Sequence, residues 1–188
     1  MRQVININEK WAFTKDTDEI PKEMPKRWCW VHLPHTWNNI DGQDGNNDYY
    51  RGTGYYAKMI KRAELPKADK YFLEIRGANS SADIYVDGRK LAHHDGGYST
   101  WRVDITKELK EESLLVITVD NSQNDSVYPQ MADFTFYGGL YRDVNIIGVS
   151  ASHFDLEYCG GEGLQVTPVL QGNDAEITIC LLYTSDAA

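Results

Sequence analysis

Cysteine is scarce in this sequence, which contains three, at Cys29, Cys159 and Cys180, in 188 residues. Their wide spacing excludes both a disulfide framework and a four-ligand metal site built from cysteines. No run of about 18 apolar residues is present, so the sequence predicts no transmembrane helix. The first residues, MRQVIN, lack the basic start, apolar centre and cleavage site of a secretion signal. We therefore expect a cytoplasmic protein without membrane contacts, or a periplasmic or secreted one if the natural chain starts upstream.

Positive charge is also in short supply, because 19 lysines and arginines stand against 28 aspartates and glutamates, for a net charge of -9. Nucleic acid is an unsuitable partner for such a chain, since its phosphates require a basic surface. Apolar residues make up 41% of the chain and aromatic residues 12%. That composition is sufficient for one buried core and the beginning of a second.

Helical periodicity is nearly absent, and only residues 106–110 are expected to form a helical turn. Short alternating segments predominate instead. Residues 82–86 alternate, and the Asp-Gly pair at 87–88 predicts a hairpin with a return strand at about 89–94. Residues 114–119 are apolar on both faces, as expected for a central strand that is covered on both sides. Further strands are predicted at 27–33, 54–62, 71–76, 98–105 and 140–149.

This succession of about eight short strands predicts an all-β fold, a jelly-roll β-sandwich over residues 1–150. A new alternation over residues 151–179 predicts the start of a second β-sandwich domain, which is truncated because three strands cannot close a sandwich. Residues 180–188, CLLYTSDAA, resemble the translation of a transposon-end adapter used in preparing sequencing libraries. We expect this tail to be non-native and exclude it from the fold.

The segment DFTFYGGLYRDV, residues 133–144, carries the strongest functional signal. A hexose presents hydroxyl groups around an apolar C–H face, so its recognition requires acceptor oxygens beside aromatic surface. The start of the segment supplies one carboxylate and three aromatic rings, those of Asp133, Phe134, Phe136 and Tyr137. The polar, proline-containing loop before it, residues 124–132, is expected to present Asp133 at one end of the sandwich.

Other polar residues admit more than one interpretation. Arg51 either lines the sugar cleft or holds the Asp/Asn-rich loop 41–48 through its carboxylates. That loop fails the EF-hand template for calcium, although a looser oxygen-ligand site remains an alternative. Arg142 is in phase with the apolar residues of its predicted strand, so we expect it to anchor the preceding loop through a carboxylate or carbonyl partner. His93 and His94 should point to opposite faces of a strand, which prevents a joint metal site.

Four motifs follow one another along the chain: LPHTWN at 33–38, YYRGTGYY at 49–56, GGYSTWRVDIT at 96–106 and DFTFYGGLYRDV at 133–144. In this order they resemble the N-terminal sandwich domain of glycoside hydrolase family 2, the β-galactosidase and β-glucuronidase group, over about residues 3–150. The resemblance implies that residues 151–179 begin an immunoglobulin-like domain. It also implies that Asp133 reaches from a non-catalytic domain into the active site. Together with Arg51 and Tyr137, it forms the expected substrate-binding set. The resemblance places both catalytic glutamates on a (β/α)8 barrel beyond this chain, so no catalytic residue is expected here.

The expected parent protein hydrolyses terminal β-glycosides, whereas this chain alone is expected to be inactive. β-Galactosides are favoured because residues 41–52 are most similar to bacterial enzymes of that kind; β-glucuronidase and β-mannosidase activities are alternatives. A free-standing carbohydrate-binding module and a structural domain for oligomer contacts are the alternatives from other classes. The expected partners are a carbohydrate substrate, the catalytic barrel of the same polypeptide and further copies in a homo-oligomer. No cofactor is expected, although a divalent or sodium ion in the full-length parent stays open.

Overall fold

The computed structural model describes residues 2–39, 49–128, 132 and 135–184, and their regular structure is almost entirely β-strand. No helix among these residues is long and apolar enough to cross a membrane. The first ten strands are β1 (Gln3–Asn6), β2 (Trp11–Thr14), β3 (Cys29–Val31), β4 (Thr53–Lys61), β5 (Lys70–Ile75), β6 (Ser81–Val86), β7 (Arg89–Asp95), β8 (Trp101–Asp104), β9 (Glu112–Asp120) and β10 (Val144–Val149). A 3-10 turn, Arg62–Glu64, follows β4.

These strands form two antiparallel sheets that pack face to face. The larger sheet has the order β3-β2-β4-β9-β6-β7, and the smaller one has the order β1-β10-β5-β8. Most neighbours in each sheet are distant in sequence, as is typical of jelly rolls. The predicted all-β sandwich is therefore confirmed.

One apolar core fills the space between the sheets. Tyr71, Leu73 and Ile75 on β5 all belong to it, as their alternation predicts. Leu73 and Ile75 are completely buried, as are Ile117 on β9 and Ile146 on β10. Burial of each such side chain contributes about 1.5–3 kcal/mol. The sheets are therefore held together chiefly by apolar residues on the facing sides of their strands.

Strand β9 lies in the middle of the six-stranded sheet, between β4 and β6. Its residues Leu115 and Ile117 point into the main core. Leu114 and Val116 face the other side of the sheet, where they join a second apolar cluster. The side chains that cover this cluster come partly from the connection between β2 and β3, namely Ile20, Met24 and Trp28. The apolar character of both faces is thus explained, and the prediction of a central strand is confirmed.

The Asp87-Gly88 hairpin also forms as predicted. Both residues have positive φ angles, 50° and 80°, which a type I′ turn requires at its two central positions. Val86 pairs with Arg89 directly across the turn, so β7 returns along β6, and the register shifts by one residue between Ile84 and Tyr85. The Asp87 carboxylate accepts a hydrogen bond from the backbone N–H of Leu114 at 2.8 Å. The turn is thereby fixed to the adjoining central strand.

One local expectation is confirmed, the single turn at 106–110, and one is wrong, the buried position of Arg142. In the turn, Leu109 N–H donates to the Ile105 carbonyl at 3.1 Å. Arg142 lies in the connection before β10, which starts at Val144, and its side chain is exposed. Its guanidinium stands over the Tyr141 ring at 5.5 Å from the centroid. Because Arg142 precedes the strand, its side chain does not lie on the buried face that the apolar periodicity predicted for it.

The chain beyond β10 contains β11 (His153–Phe154), a 3-10 turn (Tyr158–Gly160), β12 (Leu164–Gln171), β13 (Asp174–Leu181) and β14 (Tyr183–Thr184). Strands β12 and β13 form a hairpin whose residues are all exposed. The register puts eight side chains on one face, those of Leu164, Val166, Pro168, Leu170, Ala175, Ile177, Ile179 and Leu181. This face is the apolar alternation expected over 151–179. The domain boundaries, and the assignment of residues 180–188 as a non-native tail, stay predictions.

Arg102 on β8 connects the sandwich to this later part of the chain. Its Nε donates to Glu74 of β5 at 2.7 Å, and both side chains are almost fully buried. Its Nη1 donates to the carbonyls of Leu156, Gly160 and Gly161 at 3.1, 3.0 and 2.5 Å. One buried guanidinium therefore fixes the 156–161 segment against the four-stranded sheet.

Candidate functional site

The candidate site lies at one end of the sandwich. A row of paired residues marks this end of the six-stranded sheet: Thr53, Asp120, Ser81 and Asp95. Residues 135–140 approach the same end, because Gly139 forms an isolated β-bridge with Asn79, which lies between β5 and β6. This segment directly follows the two residues that carry the sequence-based prediction, Asp133 and Phe134.

Asn79 holds the segment by both backbone and side chain. Its N–H donates to the Gly139 carbonyl at 3.1 Å, and Gly139 N–H donates to the Asn79 carbonyl at 3.3 Å. Its Nδ2 donates to the Tyr137 carbonyl at 3.0 Å. Because Asn79 is itself buried, these bonds fix the backbone on either side of Gly138.

Further groups bind the neighbouring residues of the segment. The Tyr49 hydroxyl donates to the Phe136 carbonyl. The side chain of Asn38 accepts from the Gly138 N–H at 2.7 Å. His35 N–H donates to the Leu140 carbonyl at 2.8 Å. Backbone groups of all five residues from 136 to 140 are thus hydrogen-bonded to parts of the sandwich distant in sequence.

The two glycines of the segment are required by close packing. A Cβ on Gly138 would lie 2.5 Å from the Trp37 ring, and one on Gly139 would lie 2.7 Å from the backbone oxygen of His35. Gly139 also has a φ of 115°, a conformation that side chains disfavour. The sequence indicated a bend here, and the structure adds that the segment passes too close to the sandwich for any side chain at these positions.

The structure describes only some of the residues that were predicted to form the site. Asp133 and Phe134 lie outside them, so the roles assigned to these two stay predictions. Tyr137 is 42% exposed, with its backbone held by Asn79. Arg51 is exposed, and its guanidinium lies 5.3 Å from the centroid of the Tyr49 ring. Because Tyr49 also binds the Phe136 carbonyl, the segments that carry Arg51 and Tyr137 meet.

A second exposed aromatic residue is joined to this site through Asn79, the residue that binds the Tyr137 carbonyl. Tyr98, between β7 and β8, is 47% exposed. Its neighbour Gly97 packs against the side chain of Asn79 and accepts a hydrogen bond from the Tyr141 hydroxyl. Exposed rings of this kind can cover the apolar face of a sugar. Tyr98 was not among the residues singled out by sequence analysis, since nothing local in GGYST distinguishes a binding tyrosine from a packed one.

Three buried amides were also missed, those of Asn38, Asn79 and Asn121. An asparagine in a loop is ordinarily interpreted as a turn residue. The signal that could have found Asn38 is its place at the end of the LPHTWN motif. Nothing in the sequence marks Asn79 or Asn121, because their partners are far away along the chain.

His35 is a titratable group that this environment affects strongly. Burial lowers its pKa from 6.5 to about 4. Its Nδ1 is 2.8 Å from the hydroxyl of Tyr56, which is itself fully buried. The imidazole is therefore neutral near pH 7 and completes the packing under Leu140.

This shift predicts a pH dependence of stability. The unfolded chain takes up a proton near the ordinary histidine pKa, whereas the folded chain does so only near the lowered value. The free energy of unfolding should therefore decline as pH falls from about 6.5 to about 4. In the variant His35→Gln this decline should be shallower. Urea unfolding of both proteins across this range measures the difference, and parallel curves would contradict the prediction.

The other histidines contribute to ion pairs and packing. His93 Nδ1 is 2.6 Å from Asp83, and its Nε2 is 3.3 Å from Asp95. His94 stacks instead on Trp101, with ring centroids 4.8 Å apart. The two rings have separate surroundings, as expected for adjacent strand residues. Among the residues that the structure describes, no group of three or more histidine, cysteine or acidic side chains could hold a metal, and loop 41–48 lies outside those residues.

Comparison with known proteins places this geometry in a family. Residues 4–149 match the family described as "Glycosyl hydrolases family 2, sugar binding domain". A putative beta-glucuronidase of Formosa agariphila is 34% identical over 92% of this chain, which covers 21% of that relative. A beta-galactosidase of Thermoanaerobacter pseudethanolicus is 29% identical over 95% of this chain and 24% of its own length. The chain therefore spans about a quarter or less of these curated relatives.

Solved structures agree with the sequence match. A Bacteroides uniformis beta-glucuronidase 2 superposes with a TM-score of 0.89 at 33% identity, over 100% of this chain and 23% of that one. A beta-glucuronidase of Parabacteroides merdae superposes with a TM-score of 0.82 at 26% identity, over 98% and 25% of the respective chains. The chain belongs to glycoside hydrolase family 2, and residues 4–149 are its sugar-binding domain.

Proposed function

We propose that this chain is part of a longer enzyme that hydrolyses terminal β-glycosides, and that its sandwich contributes substrate contacts to an active site built mainly elsewhere in that enzyme. The observation that carries the proposal is the fixed segment 136–140, in which every residue has a backbone group bonded to the sandwich. A segment held in this way presents Tyr137 on a backbone with little conformational freedom left to lose on binding, and Asp133 precedes the segment by three residues in the sequence.

The chemistry assigned to the segment is binding and orientation. The carboxylate of Asp133 would accept hydrogen bonds from sugar hydroxyls, and Tyr137 would cover apolar C–H surface. Such contacts accelerate a reaction when they strengthen in the transition state, without any proton transfer by the residues concerned. Retaining hydrolysis needs in addition two carboxyl groups about 5 Å apart, which we assign to the remainder of the enzyme.

Among β-glycosides, we put β-glucuronides first. Sequence motifs alone favoured β-galactosides, but the relatives that share 34% identity with the chain are named beta-glucuronidases. The beta-galactosidase at 29% identity keeps β-galactosides as the second candidate. The choice depends on residues that contact the group at the sugar's C5, where a glucuronide carries a carboxylate and a galactoside carries a hydroxymethyl group.

A substrate panel tests this proposal. The full-length protein that contains this chain should be assayed with nitrophenyl β-glucuronide, β-galactoside and β-mannoside. We expect kcat/KM to be highest for the glucuronide, by about tenfold or more, which corresponds to about 1.4 kcal/mol of differential transition-state binding. A preference for the galactoside would reverse the substrate assignment. Absence of hydrolysis with all three would contradict the proposed function itself.

A further inference from the structure

Two asparagines form a buried pair under the candidate site. Asn38 is 0% exposed and Asn121 is 5% exposed. The Nδ2 of Asn121 donates to the Oδ1 of Asn38 at 3.2 Å, although the residues are 83 positions apart. Asn38 follows the LPHTWN tryptophan, and Asn121 directly follows β9. The pair therefore joins a loop to the end of the central strand.

The remaining polar atoms of the pair reach two further segments. The Oδ1 of Asn38 also accepts from Gly138 N–H at 2.7 Å, within the fixed segment 136–140. The Nδ2 groups of Asn38 and Asn121 both donate to the Tyr50 carbonyl at 3.1 Å. The Oδ1 of Asn121 accepts from Gly52 N–H at 2.9 Å, and the Gly52 carbonyl accepts from Asn121 N–H at 3.2 Å. The backbone on both sides of Arg51 is thus tied to the backbone of Gly138.

An amide satisfies this arrangement, and an ionised carboxylate does not. Each side chain must accept from backbone N–H and donate to a backbone carbonyl, and both roles are present together in asparagine. A carboxylate at either position would lose its donor and would face the Tyr50 oxygen without a proton. Space is also limiting, because a Cβ on Gly138 would come within 2.7 Å of the Asn121 amide.

We propose that Asn38 and Asn121 are positioning residues that set the distance between residues 50–52, which include Arg51, and segment 136–140. The inference rests on the proposed function, since these two parts carry the expected substrate contacts. A displacement of about 1 Å between groups that bind one substrate can lower kcat/KM by up to about a hundredfold. The pair acts through the backbone and touches no substrate.

The first test uses the full-length enzyme and the variant Asn38→Ala, measured well below its melting temperature. We expect kcat/KM to fall by about tenfold or more. Asn145→Ala is the matched control: Asn145 is equally buried, and its Nδ2 donates to Glu74 on the four-stranded sheet at 2.8 Å. That control should lose thermal stability and keep kcat/KM within about twofold. Equal kcat/KM in Asn38→Ala and wild type would overturn the inference.

The isosteric variant Asn38→Asp supplies a second readout. Its carboxyl is buried, so its pKa should rise, and in the protonated form it can both donate and accept as the amide does. The ratio of its kcat/KM to that of wild type should therefore increase as pH is lowered, and a ratio independent of pH would contradict the inference. Absence of β-glycoside hydrolysis by the wild-type enzyme would contradict the proposed function rather than the positioning role of Asn38.

The positioning itself can be tested in the 188-residue chain without any activity. Amide hydrogen exchange at Gly52 and Gly138 should accelerate by about tenfold or more in Asn38→Ala and remain unchanged in Asn145→Ala. Unchanged exchange at both glycines in Asn38→Ala would overturn the assigned role, whatever the substrate proves to be.

Discussion

Replacement of Arg102 by methionine is expected to lower the free energy of unfolding by about 3–5 kcal/mol, because it leaves a buried carboxylate without its main partner. The Arg102 and Glu74 side chains are 3% and 2% exposed and are joined at 2.7 Å. The same change removes the donor to the Leu156, Gly160 and Gly161 carbonyls. Hydrogen exchange in residues 153–162 should therefore accelerate as well.

Arg76→Met is the matched control for this prediction. Arg76 contacts the same Glu74 carboxylate at 3.1 Å, but its own side chain is 50% exposed. Its removal should cost about 1 kcal/mol or less. Denaturant unfolding of both variants at neutral pH makes the comparison. Equal losses would show that burial of the Arg102 pair does not set its contribution.

The pH dependence of the same pair gives an independent check. Burial raises the pKa of Glu74, but hydrogen bonds from Asn145, Arg102 and Arg76 outweigh it, so the pKa lies below the ordinary value of 4.5. A lowered carboxyl pKa contributes stability above the unfolded-state value that is lost as pH falls through the folded-state value. In Arg102→Met the Glu74 pKa should rise, so the variant should lose less stability than wild type as pH falls, and the difference between the two free energies of unfolding should become smaller in acid.

Asp133→Asn in the full-length enzyme is expected to reduce kcat/KM by one to two powers of ten. The substitution keeps the size of the side chain and removes its charge, so charge-assisted hydrogen bonds to sugar hydroxyls are lost. Loss of one such bond costs about 1.5–3 kcal/mol, which gives this range of rates. The melting temperature should hardly change, because the fold contacts of the adjoining segment are made by residues 136–140.

Asp125→Asn is a suitable control, since Asp125 is exposed and lies in the same connection between β9 and β10. It makes the same change of charge eight residues earlier and should leave kcat/KM unaltered. If Asp133→Asn retained full activity, or lost it only together with a large fall in melting temperature, the binding role of Asp133 would be wrong.

The strands of this fold could be predicted from the sequence because their signals are local. Alternation over residues 71–76 and 82–86 identifies inner faces, and the Asp-Gly pair at 87–88 fixes one hairpin register. The doubly apolar run at 114–119 identified the central strand. These features depend only on neighbouring residues, so the structure reproduces them.

The parts that escaped prediction depend on partners far away in the sequence. Asn38 and Gly138, for example, are 100 residues apart. Arg102 looks like an ordinary strand residue until its carbonyl partners, 54 to 59 positions later, are placed beside it. The prediction for Arg142 was wrong for a different reason, because periodicity does not show where a strand begins. Buried polar groups at strand ends therefore required the structure, whereas apolar patterns did not.

We propose that the sandwich places Asp133 against a bound sugar. The most direct test is a crystal structure of the full-length enzyme with a substrate analogue in its active site. We expect an Asp133 carboxylate oxygen within about 2.5–3.0 Å of a sugar hydroxyl. The hydrogen bonds that join Asn38 and Asn121 to Gly138 and Tyr50 should be intact. A bound sugar with no atom within about 4 Å of residues 133–137 would contradict it.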